Sequence, residues 1–463
     1  MENTKKMVYE IEDKPKKKSE TLLYAFQHIL AMFVACITVP LIIGTSIPAT
    51  VIAAGIGTLI YLVSTKMKSP VVLSSSFSYL STMAVAFSLD ANPNDGVTGN
   101  YLALFLGMAV VGLIYVIVAL VIKKVGTKWL FNLLPTIVIG PVIMVIGLQL
   151  AGSAINNLTG AAAGDYNLVK IVCGLAALIV TALAAHSKRR NITLIPFVIG
   201  MGAGYLLALI LTLIGFYGAG SEYFHIIDFA PIVNNFSPFT FKSIIGYDCF
   251  SFLRFNNGTF EIGQIITIIL AFAPVAFVTM CEHIGDHLNL SEILGRDLLK
   301  DPGITRTLIG DGLATAVSGG ICGCANTTYG ENVAVVGVTR NASVHIIKVA
   351  AILSIALGLF SPIMCIVQTI PACVTGGVSI VLYGFIASSG VKLLIKEKTD
   401  FSLNRNIFIA AAILVTGIGG LTIQIPLGAN FTPITITNVA ISLILGIVLN
   451  KILPQPKKEV KEE

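Results

Sequence analysis

The chain has 463 residues, 55% of them hydrophobic and only 12% charged, with a formal net charge of +6. So few charges cannot coat soluble domains of that total size, which excludes a soluble protein, and the modest positive charge needs no nucleic-acid partner. The uncharged tracts Thr21 to Thr65, Val349 to Val391 and Asn406 to Asn450 each hold two bilayer crossings of about 20 residues and a turn.

Hydropathy along the chain predicts an all-α polytopic membrane protein with fourteen crossings. They begin near Leu22, Ala49, Ser69, Tyr101, Trp129, Leu168, Ile192, Gln264, Ile304, Ala325, Val344, Val374, Asn406 and Thr435. The first tract is too long for a signal-peptide core and reads as a retained span. Basic residues then orient the spans, because they concentrate in cytoplasmic connections. Lys5, Lys6, Lys14, Lys16, Lys17 and Lys18 precede span one, and further clusters follow the even-numbered spans, through Lys66 and Lys68 to Lys451, Lys457, Lys458 and Lys461. Only Lys170, Lys242 and Arg254 fall elsewhere, so both termini are expected in the cytoplasm.

The polar stretch from Phe216 to Glu261 divides the chain into two sets of seven spans. Seven is odd, so the halves are expected to run through the membrane in opposite senses, as two inverted repeats. Pro135-x-x-Val138-x-Gly140-x-Val142 in span five recurs as Pro371-x-x-Val374-x-Gly376-x-Val378 in span twelve, which supports a duplication. Inverted repeats are a common build of secondary transporters, with the binding site near the midplane where the repeats meet.

An ionisable group inside a span costs about 2.5 to 3.5 kcal/mol on insertion scales, so each one is a candidate for function. Span one carries His28, span eight carries Glu282-His283-Ile284-Gly285-Asp286-His287, and span ten carries Glu331. Glu282 and Asp286 are four apart and share a helix face, with His283 and His287 on an adjoining one. That order differs from the His-Glu-x-x-His of zinc proteases, and the cysteines, Cys36, Cys173, Cys249, Cys281, Cys322, Cys324, Cys365 and Cys373, lack zinc-site spacing, so no metal is expected. The glycines of Ser318-Gly319-Gly320-Ile321-Cys322-Gly323 lack the context of a phosphate loop, and no paired nucleophile and base is visible.

Spans three and ten read as broken. Ser69-Pro70-Val71-Val72-Leu73 gives way to Ser74-Ser75-Ser76-Phe77-Ser78-Tyr79, and Ala325-Asn326-Thr327-Thr328-Tyr329-Gly330-Glu331-Asn332 precedes the apolar Val333 to Val338. Each is expected to be an extended lead-in followed by a half helix. Such backbone is tolerated at membrane depth only where protein buries it or it lines a cavity, so the two should meet at a central site. Their half-helix N-termini would aim free N–H groups at a ligand.

Gln27-His28-x-x-Ala31-Met32-Phe33, Ser75-Ser76-Phe77, Glu282-His283-Ile284-Gly285, Gly295 to Gly303, Gly310-Asp311-Gly312 and Thr327 to Asn332 together resemble the nucleobase:cation symporter-2 (nucleobase-ascorbate transporter) family, its uracil branch above all. The likeness runs from span one to span fourteen. It implies fourteen spans in two inverted repeats, with short antiparallel strands in spans three and ten. It implies a core domain at 21–125 and 262–368, a gate domain at 126–215 and 369–452, an extracytoplasmic connection at 216–261, and cytoplasmic tails at 1–20 and 453–463. Matched position by position, the substrate-contacting carboxylates fall on Glu282 and Glu331, backbone contacts on Phe77 and Gly330, and neighbouring polar positions on His28, Ser76 and Tyr329. The sequence departs from the uracil branch at Asp286, where a histidine implicated in proton coupling is usual and aspartate is similar to the purine branch; it also has Ala334 in place of a usual glycine.

The chemistry suits uracil, whose two N–H donors flank a carbonyl: carboxylates accept from the former while backbone amides donate to the oxygens. The expectation is proton-coupled uptake of uracil across the cytoplasmic membrane by a homodimer with no cofactor. Glu282 and Glu331 would grip the ring edge, Phe77 and Tyr329 supply apolar contact, and a carboxyl in the group Glu282, Asp286 and His28 carry the proton. The alternatives are a xanthine or uric acid symporter of the same family and a passive channel for small solutes.

Overall fold

The computed structural model describes residues 7–89, 99–161, 164, 166–193, 195–216, 222–246, 262–426 and 433–454. Lys5, Lys6, Cys249, Arg254, Lys457, Lys458 and Lys461 lie outside them, as do parts of the 216–261 connection and of both tails.

The first apolar tract folds as α1 (Lys18–Ile43) and α2 (Ile47–Ser64), hinged at Gly44, whose φ of 88° suits a residue without Cβ. Strand β1 (Leu73–Ser75) leads into the short α3 (Leu80–Ser88). Helix α4 (Tyr101–Val125) starts where the Asn100 side chain accepts the Ala103 amide at 2.9 Å, a helix cap. There follow α5 (Lys128–Leu133), α6 (Thr136–Leu148), α7 (Ala151–Thr159), α8 (Leu168–Ala185), α9 (Arg190–Thr193) and α10 (Pro196–Ile214), with α11 (Ala230–Phe236) in the connection. The second half runs α12 (Ile262–Leu294), α13 (Ile304–Gly320), β2 (Asn326–Thr328), α14 (Gly330–Thr339), α15 (Val344–Leu359) and α16 (Ser361–Gln368). It ends with α17 (Ala372–Lys396), α18 (Asn404–Ile418), β3 (Ile423–Ile425), β4 (Ile434–Ile436) and α19 (Asn438–Ile452).

Among the described residues, 8 helical stretches are long and apolar enough to cross a membrane, and α15, α18 and α19 are shorter apolar helices. The chain is therefore a multi-pass membrane protein. Helices α18 and α19 have 15 residues each, about 22 Å, short of the roughly 30 Å hydrocarbon core. An antiparallel pair, β3 with β4, continues them. The last span, expected from Thr435, is helical only from Asn438, because Thr437 caps it by accepting the Ala440 amide.

The helices pack in two groups. In one, α4 lies on α13, α2 on α13 and α15, α1 on α15, and α12 on α4. In the other, α17 lies on α6, α7 and α8, α8 on α10, and α18 on α6 and α19. Small residues permit the closest approaches. A Cβ built on Gly377 of α17 would overlap the carbonyl of Gly174 in α8, whereas one on Gly384 meets nothing within 4 Å. Gly377→Val is accordingly expected to cost about 1 to 3 kcal/mol and lower the melting temperature in detergent, with Gly384→Ala close to the parent; equal melting temperatures for the two variants would count against this packing.

One feature had no signature in the sequence. Residues of the N-terminal tail run beside the segment between α14 and α15: Val8 donates its amide to the Arg340 carbonyl at 2.8 Å, and Ala342 and Val344 donate theirs to Tyr9 and Ile11 at 2.9 and 3.0 Å. Ile11 is buried there, and Glu12 pairs with Arg296 at 2.9 Å.

Candidate functional site

Strands β1 and β2 pair antiparallel, with Leu73 opposite Thr328, Ser74 opposite Thr327 and Ser75 opposite Asn326. Both are fully buried, so their backbone groups need partners inside the protein. Thr58 of α2 supplies two of them, its hydroxyl accepting the Leu73 amide at 3.0 Å and donating to the Leu73 carbonyl at 3.3 Å. Thr315 of α13 donates to the Asn326 carbonyl at 2.6 Å, and Asn326 Nδ2 donates to the Ala53 carbonyl at 3.0 Å. Gly57 makes room for that side chain; a methyl there would strike it. The polar residues of α2 and α13 thus serve the strand pair.

Each strand hands the chain to a short helix, as the broken-span reading expects. The second starts earlier than the sequence indicated, at Gly330 in place of Val333, since the extended backbone of β2 ends at Tyr329 (φ −117°, ψ 108°). Glu331 therefore lies in the first turn of α14, where a carboxylate complements the free amides.

Helix α12 passes alongside. Glu282 Oε2 accepts from Ser78 Oγ at 3.0 Å, just before α3, and Asp286 Oδ2 accepts from Thr328 Oγ1 at 3.0 Å, at the end of β2. The other oxygen of Asp286 faces Gly330, standing 3.4 Å from where a Cβ would be. These residues lie well inside α12, which continues to Leu294, so they are not the polar rim of a helix end. Asp286 thus stands at the start of α14, whose first turn carries Glu331, and Glu282 stands beside the start of α3.

The remaining candidates are distributed around this cluster. Ser76 donates its amide to the Ala325 carbonyl at 2.8 Å, extending the strand pair, and its buried hydroxyl has no partner among the described residues. Phe77 meets Tyr383 of α17 edge to face, with ring centroids 6.4 Å apart, so a side chain of the second packing group closes on the strand ends. Tyr329 is buried at the junction of β2 and α14. His28 is buried too and reaches α14 through Asn332, whose Nδ2 donates to the His28 carbonyl at 3.2 Å. Among the described residues no hydrogen bond joins His28 to Glu282 or Asp286.

The adjoining face of α12 carries the two histidines. His283 Nδ1 is hydrogen-bonded to Asp311 Oδ2 of α13 at 2.7 Å. His287 donates through Nδ1 to the His283 carbonyl at 2.7 Å, which leaves Nε2 of the neutral ring to accept from Tyr61 Oη at 2.6 Å. The two rings stack with centroids 4.2 Å apart. These bonds fix the rotation of α12 that presents Glu282 and Asp286 to the strands. Tyr61→Phe should cost about 1 kcal/mol by removing the shorter bond to the buried His287 nitrogen, which keeps only Ser69 Oγ at 3.5 Å, read as a lower melting temperature; an unchanged one would show that this bond does not hold the helix.

Sequence reasoning missed the partners: Ser78, Thr328, Asn332, Asp311, Tyr61 and Tyr383. Asp311 and Thr328 lie in quoted motifs, yet nothing local tells which carboxylate or imidazole each one meets.

Residues 19–425 match the profile of the Permease family, Xan_ur_permease. Several curated relatives are named uracil permease. That of Bacillus caldolyticus is 38% identical over 450 residues, covering 97% of this chain and 95% of its own, and that of Bacillus subtilis (strain 168) is 36% identical over 444 residues, covering 94% and 93%. Among solved structures, the transmembrane domain of the cyanobacterial bicarbonate transporter BicA superposes with a TM-score of 0.63 over 95% of this chain and 99% of that one. At 12% identity that likeness speaks for the fold alone.

Proposed function

The chain belongs to this Permease family, a family of transporters and not of enzymes, and from that premise we propose that it takes up uracil across the cytoplasmic membrane, coupled to protons, by alternating access. The observation that carries the reading is the junction of β1, β2 and α12, where Glu282, Asp286 and Glu331 gather beside the N-termini of α3 and α14. Carboxylates that accept and amides that donate at one junction complement a ring with N–H groups flanking a carbonyl. In this scheme Glu282 and Glu331 accept the ring N–H groups, and the backbone at Phe77 and Gly330 contacts the ring. Ser76 and Tyr329 complete the wall. The proton is carried within the group Glu282, Asp286 and His28, the last of which is bonded through its carbonyl to Asn332 of α14. The proton is the coupling ion, and the scheme needs no further cofactor.

The architecture proposed with it has fourteen spans in two inverted repeats, with both termini in the cytoplasm. The packing supports the repeats, since α2 lies on α15 as α13 lies on α4, α8 on α10 as α18 on α19, and α1 near α14 as α12 near α3. The group containing β1, β2 and α12 is the proposed core, 21–125 with 262–368, and the group around α6 and α17 the proposed gate, 126–215 with 369–452, in a homodimer.

Asp286 favours a second reading, a xanthine or uric acid symporter, because it is the feature most similar to the purine branch. Binding of labelled uracil to the purified protein, competed with unlabelled xanthine and uric acid, separates the two. Displacement by uracil at concentrations at which the purines leave the label bound supports the proposal; the reverse order replaces it with the purine reading.

A further inference from the structure

Away from the carboxyl cluster, Gln149 stands where α6 gives way to α7, and its carboxamide reaches in two directions. Nε2 donates to Ser81 Oγ, in the first turn of α3, at 3.3 Å, and Oε1 accepts from Asn438 Nδ2, at the start of α19, at 2.9 Å. Asn438 is held in turn by donating to the Gly417 carbonyl at 2.7 Å, while its own carbonyl accepts from Ser442 Oγ at 2.7 Å. The α19 end of Gln149 is therefore anchored by several bonds within one packing group, and the Ser81 end is a single long bond to the other. A second polar crossing joins the same groups at Thr267 of α12, whose hydroxyl accepts the Thr435 amide of β4 at 3.0 Å.

We propose that Gln149 is a latch: its bond to Ser81 holds the half helix α3 against α6 and α19 in the arrangement seen here, and it must open for the two groups to move apart. The proposal rests on the alternating-access reading above. Its chemistry suits the task. A hydrogen bond between two neutral groups contributes modestly, so it biases one arrangement without trapping it. An ion pair at the same depth would be far harder to break and remake in each cycle.

The test is uracil exchange by proteoliposomes carrying the parent, Gln149→Ala, Ser81→Ala and the double variant. Because either single change removes the same bond, the effects on the exchange rate should fail to multiply, falling short of the product by about two- to tenfold. A second arm bridges the Ser81→Cys and Gln149→Cys positions of one double variant with a short, reducible bifunctional reagent. The bridge should stop exchange, and reduction should restore it. If the bridge stops exchange but the single effects multiply, or neither single change alters the rate, the latch is overturned and alternating access stands. If bridged protein exchanges uracil as fast as reduced protein, the groups do not separate there, and alternating access falls together with the latch.

Discussion

Glu331→Gln should weaken uracil binding about 10- to 150-fold, the equivalent of about 1.5 to 3 kcal/mol for a hydrogen bond to a charged acceptor. The amide keeps the size of the carboxylate and its position in the first turn of α14, so packing is expected to survive. What it loses is the charge-assisted acceptor, and it gains an NH₂ group that faces the ring's own N–H. The charge is placed well for its task, since the free amides at the start of α14 favour an anion there. Binding of labelled uracil to the purified variant, with the melting temperature as a control for folding, measures the loss. Parent-like affinity would remove Glu331 from the site.

Asp286→Asn is expected to separate coupling from binding. Asp286 accepts from Thr328 and faces Gly330, whereas Glu282 accepts from Ser78 beside the start of α3, nearer the proposed ring position. Asparagine can still accept from Thr328 through its carbonyl oxygen, so the strand end should hold its place. It cannot bind a proton. Uracil binding should stay within a few-fold of the parent, while proton-driven accumulation falls at least tenfold and its dependence on pH flattens between about pH 5 and 8, the range over which coupled carboxyl groups are tested. Glu282→Gln should damage binding and accumulation together. A variant at 286 that accumulates uracil like the parent at every pH would remove Asp286 from the coupling and leave Glu282 or His28 as the carrier.

The difference between what the sequence foretold and what it did not follows from range. Glu282 and Asp286 share a face because four residues make about one helical turn, a local fact, and the structure puts both on the strand side of α12 and both histidines on the other. The two extended lead-ins were legible because Ser, Pro and β-branched residues interrupt an apolar span where lipid forbids free backbone; that they form antiparallel strands was implied by the family resemblance. That Leu73 pairs with Thr328, or that Thr58 satisfies Leu73, was not legible, since such contacts join segments far apart in the chain. The start of α14 was set three residues late because Gly330 and Glu331 look like loop residues; in the structure glycine occupies the first helical position, where the acidic residue after it meets the free amides. The Ser81, Gln149 and Asn438 chain was invisible for the same reason as the histidine partners: each member is an ordinary polar residue until three helices bring them together.

Accumulation of labelled uracil in proteoliposomes, with and without an imposed pH gradient, bears most directly on the claim that the carboxyl cluster around β1 and β2 couples uracil to protons. With the inside alkaline, the parent should concentrate uracil above its outside level. A protonophore should return it to equilibrium, and Glu331→Gln should take up almost none. Uracil that only equilibrates, at the same rate with or without the gradient, would contradict coupling and leave a passive facilitator.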